Sequence, residues 1–189
     1  MKKAVFITLA VAVAGLVYAF IPSKTAFVAG GNIDSTEAAE SAIQWLTWDE
    51  AVKANGKKQK KFFIDMYTDW CGWCKRMDAS TFSDPAVAKY INENFYPVKF
   101  NAEQKEDIVF QGETFKWAAG GGRGGVHMLA YSLLDGKLGY PSYVYLTPKY
   151  ERILISPGFK QAPELQKEMK FVAENHYEKT TWEQFRSSN

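Results

Sequence analysis

Residues 62–75 read FFIDMYTDWCGWCK and join a short apolar run to a pair of cysteines. The run from Phe62 to Tyr67 has the length of a buried central strand. A helix is predicted from the cysteines to about Ala79. The stretch therefore predicts a strand, a tight connection and a helix, with the first cysteine at the helix N-terminus.

Cys71 and Cys74 lie three residues apart at this junction. Unpaired backbone N–H groups and the helix dipole stabilise an anion at a helix N-terminus. The thiolate is the nucleophile of disulfide exchange, so a lowered thiol pKa makes Cys71 reactive at neutral pH. Cys74, one turn further in, is placed to attack a mixed disulfide formed by Cys71. The spacing therefore predicts thiol–disulfide chemistry.

Two alternatives for the cysteine pair are weaker. A zinc site needs about four ligands, and the chain has only two cysteines, so His127 and His176 would both have to join at unusual spacing. A purely structural disulfide would close almost no loop and would stabilise the fold little. We therefore expect redox chemistry, with no metal and no organic cofactor.

The elements around the cysteines alternate between strands and helices. Thr47 and Glu50 form a predicted capping box, and Asp84 followed by Pro85 is typical of a helix start. The order predicts a layered α/β domain. The predicted elements are a strand at 43–46, a helix at 47–56, the strand at 62–67, the helix to 79, a helix at 84–94 and a strand at 96–101.

Residues 102–139 interrupt this alternation. The segment is predicted to hold a hairpin around Gln111-Gly112-Glu113, a flexible glycine-rich loop at 120–125 and a short helix at 127–134. It is either a partner-specific rim or lid or a tolerated surface insertion. The predicted elements after it are strands at 142–146 and 152–156, a helix from Pro163 to about Asn175, and a last short turn capped within Thr180–Glu183.

The N-terminus has the pattern of a targeting segment. Two lysines precede an uncharged stretch, residues 4–21, which corresponds to a basic n-region and an apolar h-region. Residues 17–19 favour cleavage, whereas a length of 18 residues also allows an uncleaved membrane anchor. In either case the rest of the chain is exported. The predicted organisation is a signal peptide or anchor at 1–22, a flexible tether at 23–42 and a folded domain at 43–189.

The sequence around the cysteines resembles the active-site strand and helix of thioredoxins. It is more similar still to the thioredoxin-like domain at the C-terminus of the periplasmic thiol:disulfide interchange reductase, a match that residues 81–87, TFSDPAV, extend. The resemblance covers roughly residues 43–101 and 138–175. It implies a three-layer α/β fold with a central mixed sheet of about five strands, helices on both faces and an insertion before the proline strand.

The resemblance also implies a buried proton acceptor. Asp65, six residues before Cys71, matches an acid that would take the proton of Cys74, with a pKa raised by burial. The alternative is a strand-edge carboxylate that faces solvent. Lys99 matches a lysine that pairs with this acid, although it fits a surface lysine equally well.

Tyr140-Pro141 matches a cis-proline that packs against the cysteine pair, with the preceding residue free to pair with a substrate strand. The alternative is an ordinary trans proline at the start of a strand. Gly158 matches a glycine near the active-site surface, or is a turn glycine. The implied site contains a Cys71–Cys74 disulfide and a substrate surface of Trp70, Gly72, Trp73, Tyr140, Pro141 and Gly158.

The predicted function is that of an exported, periplasmic or extracytoplasmic oxidoreductase that reduces protein disulfides and draws electrons from a membrane or exported thiol donor. Trp73 stands where common thioredoxins have proline, so the redox potential and the direction of electron flow stay open. The whole chain has a formal charge of +2, and without the three lysines of residues 1–30 the remainder sums to −1. This near-neutral body argues against nucleic acid. The alternative function is a binding or chaperone-like module in which the cysteines are not essential.

Overall fold

A four-stranded mixed sheet forms the centre of the structure, a computed structural model that describes residues 42–120 and 124–188. The predicted targeting segment at 1–22, and all of the predicted tether at 23–42 except its last residue, lie outside the described residues. The strands are β1 (Lys61–Tyr67), β2 (Phe95–Asn101), β3 (Ile108–Phe110), β4 (Glu113–Phe115), β5 (Trp117–Ala118), β6 (Val126–His127), β7 (Ser142–Leu146) and β8 (Arg152–Pro157).

The central sheet has the strand order β2-β1-β7-β8. β1 is parallel to β2 and antiparallel to β7, and β7 forms an antiparallel pair with β8. β1 therefore lies inside the sheet, and its five middle residues are all buried. This agrees with the continuous apolar run from which the strand was predicted.

Helices cover both faces of this sheet, as the predicted three-layer fold requires. Thr47 forms the predicted capping box with Glu50, and Asp84 caps the helix that Pro85 opens. None of the helices within the described ranges has the length and apolar character needed to cross a bilayer. The helices are α1 (Trp48–Lys57), α2 (Gly72–Ala79), α3 (Pro85–Asn94), α4 (Met128–Leu133), α5 (Ala162–Ala173) and α6 (Trp182–Ser188).

Two hydrophobic clusters lie on opposite faces of the sheet because β1 side chains alternate in direction. Phe62, Ile64 and Met66 pack against α1 and α4. Phe63 packs on the other face against α2, α3 and α5. Asp65 lies two residues after Phe63 and therefore points to the same face of the sheet, under the helix that begins at the cysteines.

The predicted strand at 43–46 is wrong in extent. Leu46 makes a single parallel bridge with Val98, and its N–H and carbonyl bond to the backbones of Pro97 and Lys99. The Trp45 N–H bonds to the Ile43 carbonyl, a local turn that uses these groups within the segment. The sheet therefore has four strands and one bridge rather than five full strands.

The described residues of the segment 102–139 fold against the sheet face that α1 covers, and residues 121–123 of the predicted glycine-rich loop lie outside the described residues. The predicted hairpin is present, but the turn is Gln111–Gly112, and Glu113 is already paired with Phe110. Both turn residues have positive φ, as a type I′ turn requires. β4 ends at Phe115, and β5 pairs with β6 instead of continuing the hairpin. The described part of the segment contributes six buried core side chains: Ala102, Ile108, Val126, Leu129, Ala130 and Leu134.

Candidate functional site

The two cysteines form a disulfide at the N-terminus of α2. Cys71 is the N-cap residue, and its Sγ accepts a hydrogen bond of 3.0 Å from the backbone N–H of Cys74. Gly72 is the first helical residue and is exposed, whereas both cysteines are almost fully buried. Cys71 therefore occupies the position at which the helix dipole and the free N–H groups act on its sulfur.

Asp65 lies in the middle of β1 and is 1% exposed. Its Oδ2 accepts a bond of 2.6 Å from Lys99 Nζ, while its Oδ1 is buried without a hydrogen-bond partner among the described residues. Burial raises the pKa of Asp65 to about 6, and the nearby Lys99 charge opposes that rise. The carboxyl is thus poised to gain or lose a proton near neutral pH.

Lys99 is held on several sides and is not an ordinary surface lysine. Its ammonium contacts Asp78 as well as Asp65. Three aromatic rings, of Trp45, Tyr67 and Phe82, lie within 5.0 to 5.4 Å of Nζ. Burial lowers the pKa of Lys99, but the two carboxylates outweigh it and the net pKa is raised. Lys99 therefore stays charged beside Asp65.

Lys99 and Asp78 line a cavity of about 520 Å³. Trp45 and Phe82 also line it, so the cavity reaches the same rings that surround the Lys99 ammonium. Asp78 lies on α2, one helical turn after Cys74, and was not selected from the sequence. The signal in the sequence that could have identified Asp78 is its position four residues after Cys74 on the same predicted helix.

We expect Lys99→Met to raise the pKa of Asp65 further above 6, because burial is retained while the neighbouring cation is lost. The carboxyl carbon of Asp65 can be followed by NMR through a pH titration of the oxidised protein. Lys89→Met is the matched control, since Lys89 is an exposed lysine paired at 3.9 Å with Glu93 on α3. An Asp65 pKa that stays unchanged in Lys99→Met contradicts the expectation.

Two exposed tryptophans flank the disulfide. Trp70 is 46% exposed and packs edge to face on Tyr140, with ring centroids 6.0 Å apart. Trp73 is 57% exposed and lies 5.5 Å from the ring of Phe159. Exposed aromatic side chains of this size are typical of protein-binding surfaces. Phe159 was not selected from the sequence, where it is one of thirteen phenylalanines.

The proline loop lies beside Trp70. The Tyr140–Pro141 peptide bond is cis, and the Gly158 N–H donates to the Pro141 carbonyl at 2.8 Å. Gly158 has φ +92°, a conformation that side chains rarely adopt. The structure therefore brings Tyr140, Pro141 and Gly158 together beside the tryptophan that precedes Cys71, with Tyr140 and Gly158 partly exposed and Pro141 buried.

The two histidines of the zinc alternative are used elsewhere. His127 is buried, accepts the Leu129 N–H at its Nδ1 and has its Nε2 3.1 Å from the Glu106 carbonyl. Burial lowers the pKa of His127. His176 pairs with Glu174 at 3.0 Å. Residues 42–120 and 124–188 contain no group of three or more potential ligands arranged for a metal ion.

A family comparison matches most of the chain. Residues 35–188 match the family model Thioredox_DsbH, which is described as a protein of unknown function. Human spermatogenesis-associated protein 20 is 25% identical over 114 residues, which are 60% of this chain and 13% of that protein. An uncharacterized protein of Caenorhabditis elegans is 27% identical over 111 residues, covering 58% and 13% respectively. The chain thus spans about an eighth of these relatives.

Solved structures give the same fold. A DsbH oxidoreductase superposes with a TM-score of 0.50 at 16% identity, covering 77% of this chain and 95% of that one. A proposed disulphide isomerase from Bacteroides thetaiotaomicron has a TM-score of 0.51 at 27% identity, covering 71% and 95%. The predicted thioredoxin-like fold is confirmed, and the bonded cysteine pair together with these neighbours supports a thiol–disulfide role.

Proposed function

This chain belongs to the Thioredox_DsbH family, and we propose that it is an exported thiol:disulfide oxidoreductase that reduces disulfides of other proteins. The observation that carries the proposal is the Cys71–Cys74 pair at the start of α2, beside the buried Asp65–Lys99 pair. Burial of an ion pair is unfavourable without compensation. The position of the Asp65–Lys99 pair in the layer under the cysteines therefore favours a chemical role for this pair.

Cys71 is the proposed nucleophile. Its sulfur already accepts the Cys74 N–H in the disulfide form, and the same donor would stabilise a Cys71 thiolate after reduction. The thiolate attacks one sulfur of a partner disulfide. A bond forms between the Cys71 Sγ and that sulfur, the partner S–S bond breaks, and the released partner thiolate takes a proton from water.

Cys74 is the proposed resolving residue, and Asp65 its proton acceptor. With a pKa of about 6, the Asp65 carboxyl is mostly ionised at pH 7 and can accept the Cys74 proton. The Cys74 thiolate then attacks Cys71 Sγ, so the Cys71–Cys74 disulfide forms, the bond from Cys71 to the partner sulfur breaks, and that sulfur leaves as a thiolate that takes a proton from water. The partner disulfide gains two electrons and two protons, and the cysteine pair of this chain is oxidised.

Asp65 needs a route by which its proton reaches water. Lys99 bridges Asp65 and the exposed Asp78, and the cavity of about 520 Å³ beside them reaches the ammonium. We assign Lys99 and Asp78 the role of positioning residues that couple the buried carboxyl to solvent. Lys99 remains charged in this role, because its pKa is raised.

Export is the second part of the proposal. Residues 1–22 have the pattern of a signal peptide or anchor, and residues 43–189 would form the exported domain. A protein that reduces disulfides outside the cytoplasm must itself be reduced again. The proposed donor is a membrane or exported dithiol that reduces the Cys71–Cys74 disulfide by the same exchange in reverse.

The test of electron direction is the reduction potential of the cysteine pair in the full-length protein, measured by equilibration with dithiothreitol. We expect a strongly reducing value, near the thioredoxin end of the range at about −270 mV. A value near about −120 mV, typical of strong oxidants, contradicts the reductase and indicates disulfide formation. The Cys71→Ser/Cys74→Ser variant is the control for non-specific thiol signal.

A further inference from the structure

The two exposed tryptophans beside the disulfide are each contacted by a charged side chain, and the two charges have opposite signs. The carboxylate of Glu103 accepts hydrogen bonds of 3.0 and 3.1 Å from the Trp70 indole N–H. The guanidinium of Arg76 lies 5.5 Å from the Trp73 ring centroid. Trp70 directly precedes Cys71, and Trp73 directly precedes Cys74, so an acidic side and a basic side meet at the reactive bond.

On the acidic side, Glu103 is held by contacts within the fold and lies near the proline loop. Glu103 has its backbone N–H bonded to Asn101 Oδ1 at 2.9 Å, and the same amide side chain contacts Asp69 at 3.2 Å. Burial raises the pKa of Tyr140 to about 12, and the charge of Glu103 adds to that effect. Glu103 therefore lies close to the residue that precedes the cis-proline. Glu103 belongs to the segment 102–139, so this insertion contributes a residue to the site.

The basic side has an open groove. Arg76 lies over Phe159, 5.7 Å from the ring centroid, as well as over Trp73. Arg76 and Phe159 line a groove of about 400 Å³ that also contains Asp84. The Asp84 carboxylate is used within the fold, because it caps α3 by accepting the N–H groups of Ala86 and Val87. Arg76 is therefore the charge that this groove offers to a partner.

Within residues 42–120 and 124–188, neither charge has an ion-pair partner of opposite sign. Among the residues described, Glu103 has no cation within 4.0 Å and Arg76 has no carboxylate within that distance, in contrast to Lys99. A partner disulfide must come into bonding contact with Cys71, so it covers the rings on both sides. Charges covered in this way favour opposite charges on the partner and disfavour like ones.

From this we propose that the partner segment is an extended chain with a basic side chain on one side of its cysteine and an acidic side chain on the other. The basic residue would face Glu103 and the acidic residue Arg76. The inference rests on the proposed disulfide reduction and adds its substrate class. It also fixes the direction of the bound segment, because a reversed segment brings like charges together at both tryptophans.

The test compares two synthetic peptide disulfides of identical composition. One has lysine before and glutamate after its cysteine, and the other has the reverse order. Reduction is followed with the full-length protein, with dithiothreitol to regenerate the dithiol. We expect kcat/KM to differ by about tenfold between the peptides, because two weak exposed charge pairs change from attractive to repulsive together. The preference should shrink as salt is added.

The decisive variant is the double exchange Glu103→Arg with Arg76→Glu, which keeps the net charge and is expected to invert the preference. The ratio of the two peptides is taken within one preparation, so partial loss of folded protein cancels. Lys89→Glu with Glu93→Lys exchanges an exposed ion pair on α3 and should keep the original ratio. Equal kcat/KM for both peptides, or a ratio that the double exchange leaves unchanged, overturns the inference.

A small neutral disulfide separates failure of this inference from failure of the proposed function. If hydroxyethyl disulfide is reduced but neither peptide is, the inferred recognition of a charged segment is contradicted, while the proposed redox chemistry stands. If neither the small disulfide nor either peptide is reduced, the proposed function is wrong, and the inference that rests on it is overturned with it.

Discussion

Replacing Cys71 with serine is expected to abolish disulfide reduction and to lower kcat/KM by at least about 10³-fold. A serine hydroxyl at this position stays protonated near neutral pH and does not form a disulfide with the partner. The fold should persist, because the Cys71–Cys74 bond closes a loop with a sequence separation of only three. Turnover of hydroxyethyl disulfide with dithiothreitol measures the loss.

Cys74→Ser is the informative companion variant. It keeps the nucleophile and lacks the resolving thiol, so it should accumulate a mixed disulfide with a protein substrate. The complex appears on a non-reducing gel and disappears with dithiothreitol. The matched control is the wild-type protein, which should release its product without a trapped complex. An unchanged cellular phenotype in the Cys71→Ser/Cys74→Ser variant would instead support the binding module in which the cysteines are not essential.

The fold could be predicted largely from short stretches because its signals are local. The buried run of β1 and the capping residues Thr47 and Asp84 depend on nearest neighbours in the chain, and the structure has each where it was expected. The strand at 43–46 was overestimated for a physical reason. Its composition fits a strand, but a local turn at Ile43–Trp45 leaves Leu46 alone to bridge β2.

The surroundings of the site could not be predicted in the same way, because they depend on contacts between distant residues. Asp78 reaches Lys99 across 21 positions, and Glu103 reaches Trp70 across 33. The position of Asp78 four residues after Cys74 is the one local signal, and no local pattern distinguishes Glu103 from other acids on the surface. Phe159 meets Trp73 only after β8 returns the chain to the disulfide, whereas Arg76 contacts Trp73 locally, three residues along α2. The export of the chain and its domain limits stay predictions.

Asp65→Asn is expected to stabilise the oxidised protein at pH 8 by up to about 3 kcal/mol. The pKa of Asp65 is about 6 in the fold against an ordinary value of 3.8, so the folded protein binds this proton more tightly than the unfolded chain. That stabilisation is complete below about pH 4 and is lost as pH rises through 6. A difference of this size corresponds to about 3 kcal/mol.

Asparagine resembles the protonated acid and is neutral at every pH, so the variant does not lose this stabilisation as pH rises. The variant and the wild type should therefore have similar free energies of unfolding near pH 4 and should diverge as pH rises to 8, measured by urea denaturation. The same substitution removes the proton acceptor of Cys74. We therefore expect reduction to slow by about 10-fold to 100-fold at neutral pH, within the usual range for a general base.

Glu168 provides a matched control, because it is a second fully buried acid on the same side of the sheet. Burial raises its pKa, but Tyr145, Ser156 and Lys160 all contact its carboxylate. Glu168→Gln should change stability without altering the pH profile of reduction, since its contacts are structural. If Asp65→Asn follows the wild-type stability at every pH, Asp65 has no raised pKa. If the Asp65→Asn variant is stabilised but reduces disulfides at the wild-type rate, Asp65 is not the base for Cys74. The unfavourable burial of this acid then has a role other than proton transfer.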